Sequence, residues 1–299
     1  EKISVLEVYD IEKAERKVLH WVWRCNWGTK TWLKDGDTLL YNKDGRIWKY
    51  SIVSGKSHQL DTGECNHCNN DHVPSSSNEE LYISCAAQGE FEQVSKIFVL
   101  PIGGGIPRLV VENGPSYLHG CSNDGEELAY CAIRGQSVDI YSTSIVGGME
   151  RRLTDGVGYN DGPEYSPDDR HIWFNSTRNG LMQVYRMNRD GSSLIQVTDS
   201  ESNNWFPHVS PDGKKVVYLS FQKDDLECGS MYLTKMWNCG SWIMMAVIRN
   251  VLLACLEDRE QSMWIPGLRT AVALCLSVIG MNKTEKSDPN TFETEGIWR

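Results

Sequence analysis

The chain has no basic excess and no block of Lys and Arg: 30 Lys plus Arg stand against 40 Asp plus Glu, for a formal net charge of −10 in 299 residues. Nucleic-acid binding needs a basic surface that displaces phosphate counterions, so no nucleic-acid partner is expected. The opening stretch, EKISVLEVYDIEKAERKVLH, lacks the basic start and unbroken apolar run of a secretory signal. A cytoplasmic protein is expected, or a periplasmic one if a signal has been removed. The most apolar segments, WIMMAVIRNVLLACL and TAVALCLSVIG, are too short and too interrupted to cross a bilayer, so no membrane span is expected. Ten cysteines at irregular spacing do not make a disulfide framework in a chain this long, and most read as reduced. Cys65 and Cys68 have C-x-x-C spacing with His67 nearby, but no second pair follows at zinc-ribbon distance and no βαβ context surrounds them; an ordinary loop is the simpler reading.

What is present is a repeat. The words LKDGDTLLY, SSSNEELYIS, SNDGEELAYC, SPDDRHIWF and SPDGKKVVYLS align with their turn position at Gly36, Asn78, Gly125, Asp169 and Gly213, spaced by 42, 47, 44 and 44 residues. Each is a tight turn followed by an apolar strand of period two. Between them lie RIWKYSIVSGKSHQL, KIFVLPIGGGIPRLV, DIYSTSIVGGMERRLT and QVYRMNRDGSSLIQVT, each reading as strand, Gly-containing turn, strand. Four strands in roughly 44 residues is the arithmetic of a β-propeller blade. The expected fold is all-β, a six-bladed propeller of four-stranded antiparallel blades. VLEVYDIEKAERKVL at the N-terminus is the outer half of a blade alone, so the ring should close by pairing these strands with inner strands from the C-terminus.

Residues 1–227 carry this propeller pattern, about five blades' worth, and 228–299 break it. Read as written, the tail has neither turn words nor strand alternation, and packed helices are its plain reading. Read one base out of frame, it changes character. MWN then spells Val-Glu, WIMMA spells Asp-x-Asp-Gly, and degenerate third bases permit a stretch matching the in-frame VYRMNRDG. In that same frame MWIPGLRT begins Val-Asp and permits Ser-Trp-Ser-Pro-Asp, the missing turn word, and VALCLSV permits a strand. The expectation is a frame change near Cys228, with the sixth blade encoded out of frame and doubtful in the sequence as written.

The words GPEYSPD, FPHVSPDGKKV, SYLHG and RRLTD resemble those of the TolB-like six-bladed β-propellers, whose repeats carry S-P-D-G turns and L-T-D strand ends; the resemblance runs from Glu1 to about Glu227. Members of this class serve as binding scaffolds, as lids on peptidases and as sugar-acid lyases. A peptidase would need an α/β-hydrolase with a G-x-S-x-G elbow, which is absent from this sequence.

In such a ring the residues just before each inner strand surround the mouth of the central channel. That position holds His72 and His119, each six residues before its turn, and His208, five before; Asn160, Asp161 and Glu164 stand in the fourth turn-word repeat, with Asn70, Asp71, Tyr117, Asn204 and Trp205 alongside. Ligand contacts are therefore expected from Asn70, Asp71, His72, Tyr117, His119, Asn160, Asp161, Asn204, Trp205 and His208. His72, His119, Asp161 and His208 could hold a divalent metal such as Mn²⁺, Zn²⁺ or Ca²⁺, or act as acid and base on an acidic sugar. That arrangement resembles the oligogalacturonate lyases, propellers with histidine metal ligands in the channel. The same residue types also cap strands and bond loop amides, and a one-residue offset reverses a side chain on a strand, which separates His208 from the other two. The expectation is a scaffold binding a small-molecule, oligosaccharide or protein ligand at the channel mouth, with a metal-dependent lyase on uronate oligosaccharides as the alternative.

Overall fold

The computed structural model describes residues 2–10, 15–23, 27–86, 94–222, 244–249 and 272–280. Every regular element among them is a β-strand, gathered in six antiparallel sheets. Four sheets have four strands in chain order: Trp27–Trp32, Thr38–Lys43, Arg46–Ser51 and Lys56–Gln59; Cys68–Pro74, Glu80–Ala86, Ser95–Pro101 and Arg108–Val111; Ser116–Cys121, Glu127–Arg134, Ser137–Ser144 and Arg151–Arg152; Asn160–Tyr165, His171–Ser176, Gln183–Asn188 and Ile195–Gln196. The fifth joins Ser202–Val209, Lys215–Gln222 and Met244–Arg249. The innermost strands of successive sheets pack against one another, which is how blades form a ring.

The sixth sheet spans the two ends of the described chain. Lys2–Asp10 pairs on one side with Glu15–Trp23 and on the other with Val272–Gly280, in a register running from Lys2 opposite Gly280 to Tyr9 opposite Val272. The expected closure by N-terminal outer strands is thus observed. The helical reading of the tail is corrected at two places: Met244–Arg249 and Val272–Gly280 are strands, because each lies beside a sheet edge whose free N–H and C=O groups take a partner, while the rest of 228–299 lies outside the described residues.

The turn words fold as one device used five times. Gly36, Asn78, Gly125, Asp169 and Gly213 all have left-handed backbone, with φ of 71°, 60°, 73°, 56° and 68°. In the three words with Ser and Asp, the serine hydroxyl bonds the aspartate two residues on, at 2.6 Å for Ser122–Asp124, 2.5 Å for Ser166–Asp168 and 2.6 Å for Ser210–Asp212. The same serine oxygen accepts the N–H that opens the next strand, from Glu127, His171 and Lys215. The Ser-x-Asp pair therefore satisfies the backbone of a tight turn that water would otherwise have to satisfy.

The core lies between blades. On Glu80–Ala86, Leu81 and Ile83 pack toward Leu40 and Ile47 of the first blade, while Tyr82, between them, packs toward Leu118, Leu128 and Tyr130 of the third. Period-two alternation thus serves two interfaces, because each sheet is buried on both faces. Trp173, Phe174 and Tyr185 are buried between sheets. Cys65 and Cys68 pack with Cys85 in the first interface, and Cys65, Cys68, Cys85, Cys121 and Cys131 are all free thiols.

A polar joint recurs at the same interval. Asp139, Thr154 and Asn160 form a buried hydrogen-bonded group, and Gln183, Thr198 and Asn204, each 44 positions later, form its counterpart. Asn160 Nδ2 donates to Val138 O at 3.1 Å and to Val157 O at 3.2 Å; Asn204 Nδ2 reaches Gln183, Thr198 and Ser200. These groups tie the third strand of one blade to the start of the next.

Candidate functional site

The innermost strand of each of the five repeat blades carries a register shift at the same place: between Trp27 and Lys30, Cys68 and His72, Leu118 and Gly120, Asp161 and Glu164, and Trp205 and His208. A bulge adds residues that face no partner and turns their side chains out of the pleat. It thereby releases Asp71, His119 and Phe206 from strict alternation and brings them toward Asp161, one residue from each of four successive blades.

At the centre is an ion pair between blades, His119 Nε2 to Asp161 Oδ1 at 3.1 Å. Gly162 N–H donates to the same Asp161 oxygen at 2.7 Å. Phe206 lies against the His119 ring, with centroids 5.8 Å apart and planes at 21°. Beside it, His208 Nδ1 pairs with Glu164 Oε2 at 2.6 Å, and Val209 N–H donates to Glu164 Oε1 at 3.0 Å.

The position of Phe206 is enforced. Its φ is 51°, in the left-handed region that costs a bulky side chain roughly 1–3 kcal/mol. Its N–H donates to Asn175 Oδ1 at 2.9 Å. Gly162 occupies the same repeat position one blade earlier with φ of 63°, and a Cβ there would stand 2.7 Å from Phe206 Cδ1. Only glycine leaves room for the ring.

Electrostatics mark the same group. Asp71 is half-buried, and burial pushes its carboxyl up to about 6, with His119 opposing and Asp161 adding to the rise. Burial works against a charged His119, but Asp71, the hydrogen bond to Asp161 and the charges of Asp161 and Glu164 outweigh it, so the imidazole is held above its ordinary range. His208 is raised by Glu164 in the same sense, against burial and the repulsion of His119. Burial, with Asp161 nearby, raises the Cys131 thiol and the Tyr159 phenol, and burial raises Tyr117 also.

The expected contacts divide into two groups. Asp71, His119 and Asp161 converge; Asn70 and Tyr117 stand part-buried on the strand stretches that carry Asp71 and His119. His208 joins through Glu164. Asn160 and Asn204 are buried in the joints between blades, His72 is 3% exposed with its carbonyl accepting from Thr31 Oγ1, and Trp205 is wholly buried beneath Phe206 and Tyr159. The metal set His72, His119, Asp161 and His208 does not assemble: among the described residues no three His, Cys, Asp or Glu groups stand close enough to hold an ion. Glu164 and Phe206 complete the site. The aromatic before Pro in WFPH hinted at Phe206, but its direction depends on the bulge.

A prediction separates a ligand-binding Asp71 from a structural one. A carboxyl raised from 3.8 to about 6 binds its proton more tightly in the folded chain, so its contribution is most favourable at low pH and is lost as pH rises through about 6. Asp71→Asn should therefore stabilise the chain by about 3 kcal/mol at pH 7.5 and leave it unchanged near pH 3.5. Denaturant midpoints at both values check this; a pH-independent difference would refute the assigned cause.

Residues 87–238 match the family profile of the TolB beta propeller domain. An uncharacterized protein of Agrobacterium fabrum is 45% identical over 224 residues, 74% of this chain and 74% of that protein. The solved structure of a TolB candidate from Agrobacterium tumefaciens is 42% identical and covers 76% of this chain and 81% of its own, with a TM-score of 0.72. The Tol-Pal system protein TolB of Francisella tularensis is 32% identical over 79 residues, 26% of this chain and 18% of that protein. No helix among the described residues is long and apolar enough to cross a membrane.

Proposed function

The chain belongs to the TolB β-propeller family, and on that premise we propose that it is a binding scaffold whose ligand docks at the mouth of the central channel. Asp71, Tyr117, His119, Asp161, Glu164, Phe206 and His208 form the contact group. The observation that carries this reading is the convergence of Asp71, His119 and Asp161 from three blades, with Asp71 desolvated and Phe206 in strained backbone beside them. Groups that destabilise the fold where they stand are retained for what they bind. A protein ligand fits the family; a small molecule or an oligosaccharide would use the same mouth.

The lyase alternative draws support from the same imidazole and carboxylates, which can serve as acid and base. It also needs a divalent ion, and the described residues do not supply the ligand set, so no catalytic step is derived through a metal. The two readings part on a simple assay. We expect no unsaturated product absorbing in the ultraviolet from uronate oligosaccharides, with or without added Mn²⁺, and chemical shifts of the His119 and His208 imidazoles that move on ligand addition. Metal-dependent turnover lost in His119→Ala, with the fold intact by circular dichroism, would replace the scaffold reading with the enzyme.

A further inference from the structure

We propose that Cys65, Cys68 and Cys85 form a redox site between the first and second blades, in which a peroxide joins Cys68 and Cys85 as a cross-strand disulfide. The chemistry is independent of what binds at the channel.

The three thiols meet in one cluster, packed among Leu40, Ile47, Leu81 and Ile83. Cys68 and Cys85 face each other in the register of the antiparallel strands Cys68–Pro74 and Glu80–Ala86. Ala86 N–H donates to His67 O at 3.2 Å, one residue outside the pair on each strand, so the pair is of the non-hydrogen-bonded kind. Such pairs bring their Cα atoms to about 4.5 Å, within the roughly 4.4–6.8 Å that a disulfide spans. Side-chain rotation alone can then close the bond. The Cys68 sulfur stands 3.3 Å from the Cys65 carbonyl oxygen, and the Cys85 sulfur lies within hydrogen-bonding reach of both other thiols. The loop is held from the first blade: Asn42 Nδ2 donates to Cys68 O at 2.7 Å, and Cys68 N–H to Gly45 O at 2.9 Å. Its cover is thin, since Glu64 and His67, each next to a cysteine, are exposed, while Cys68 itself is only 5% exposed. That cover admits a small oxidant and excludes a bulky one. Among the described residues no three His, Cys, Asp or Glu groups are placed to hold a metal ion, so the cluster reads as thiol chemistry and not as a ligand set.

Cys85 is the reactive thiol of the three. Hydrogen bonds from the Cys65 and Cys68 thiols hold it below the ordinary thiol range against burial, with the His67 N–H and the His67 charge acting in the same sense. Cys65 and Cys68 are held above that range by the same bonds and by burial. The thiolate is the form that attacks a peroxide. The Cys85 sulfur takes one peroxide oxygen: the S–O bond forms, the O–O bond breaks, and the departing hydroxide gains a proton and leaves as water. The Cys68 sulfur then attacks the Cys85 sulfenic acid: the S–S bond forms, the S–O bond breaks, and the hydroxyl leaves with the Cys68 proton as a second water. Two thiols are oxidised and one hydrogen peroxide is reduced to water. The bridge fixes the start of the strand that carries Asp71, at the Cys68 end of its register shift.

The test treats the full chain with a limiting amount of hydrogen peroxide and reads intact mass, a non-reducing peptide map and the thermal melt. Cleavage at Asp71, Glu79 and Glu80 separates Cys68 from Cys85, so a linked pair of peptides identifies the bridge. The expected product is lighter by two hydrogens, carries Cys85 linked to the Cys68 peptide, reverts with dithiothreitol and melts several degrees higher. Cys68→Ala and Cys85→Ala should each abolish the link, whereas Cys65→Ala should keep it and slow its formation several-fold. Cys121 and Cys131, both raised by burial, should stay reduced under the same treatment. The wild-type map decides even where a variant fails to fold. No link in the folded wild-type chain, a Cys85 link that survives Cys68→Ala, or a bridged chain that melts lower than the reduced one would overturn the proposal. Zinc held stoichiometrically by the purified chain and lost in Cys85→Ala would replace the disulfide with a metal site.

Discussion

Asp139→Ala should lower the free energy of unfolding by about 3–5 kcal/mol and the melting midpoint by about 10–15 °C. Asp139 is wholly buried at the joint between the third and fourth blades. Its Oδ1 accepts from Thr154 Oγ1 at 2.5 Å, Gly156 N at 2.9 Å and Asn160 Nδ2 at 3.2 Å, and Arg152 pairs with Oδ2. Removing the carboxylate strands these donors where water reaches them poorly, and each orphaned buried group costs about 1–3 kcal/mol. Burial would raise the Asp139 carboxyl, but the bonds from Thr154, Ser137, Gly156 and Arg152 outweigh it and hold it below its ordinary value. A lowered carboxyl contributes stability that is present above about pH 4 and lost as pH falls through its folded value. The penalty of the substitution should accordingly shrink in acid. Asp139→Gln, copying Gln183 at the equivalent joint, should recover much of the loss at neutral pH. Equal melting of wild type and Asp139→Ala would show that the joint does not hold the blades.

Restoring the shifted reading frame after about Cys228 should raise the melting midpoint by on the order of 10 °C and suppress aggregation. As written, the tail gives the fifth and sixth sheets one strand each among the described residues, Met244–Arg249 and Val272–Gly280. Both are nearly unbroken apolar runs, MMAVIR and VALCLSVIG, without the alternation or the Ser-x-Asp turns that order the other blades. An apolar strand without those devices leaves an edge that templates aggregation. The shifted frame permits a Ser-Pro-Asp word before the second of these strands. Sequencing the DNA across Phe221 to Arg299 decides the frame, and intact mass decides which tail the protein carries. Third bases that spoil the shifted words, or a printed-tail chain that melts as cooperatively and as high as the restored one, would defeat the proposal.

The blade repeat was legible because it is written in local chemistry. All five turn positions found by alignment have left-handed backbone, including Asn78 and Asp169, where no glycine advertises it. The apolar alternation of Leu81, Tyr82 and Ile83 places the two interfaces correctly. The site was only half legible. Asp71, His119 and Asp161 converge as their places in the repeat implied, yet Asn160 and Asn204, equally polar and at matching places, turn into the blade joints. Phe206 reads as an ordinary strand aromatic until the bulge turns it onto His119.

By itself, then, the sequence determined the four-strand repeat and its turns, because each depends on residues near one another in the chain or on strand period. Only the tertiary structure decided which polar residues meet between the blades, how Phe206 and Gly162 share one space, and that Met244–Arg249 and Val272–Gly280 pair as strands. Those outcomes depend on bulge geometry and on the pairing demands of sheet edges, and neither has a local signature.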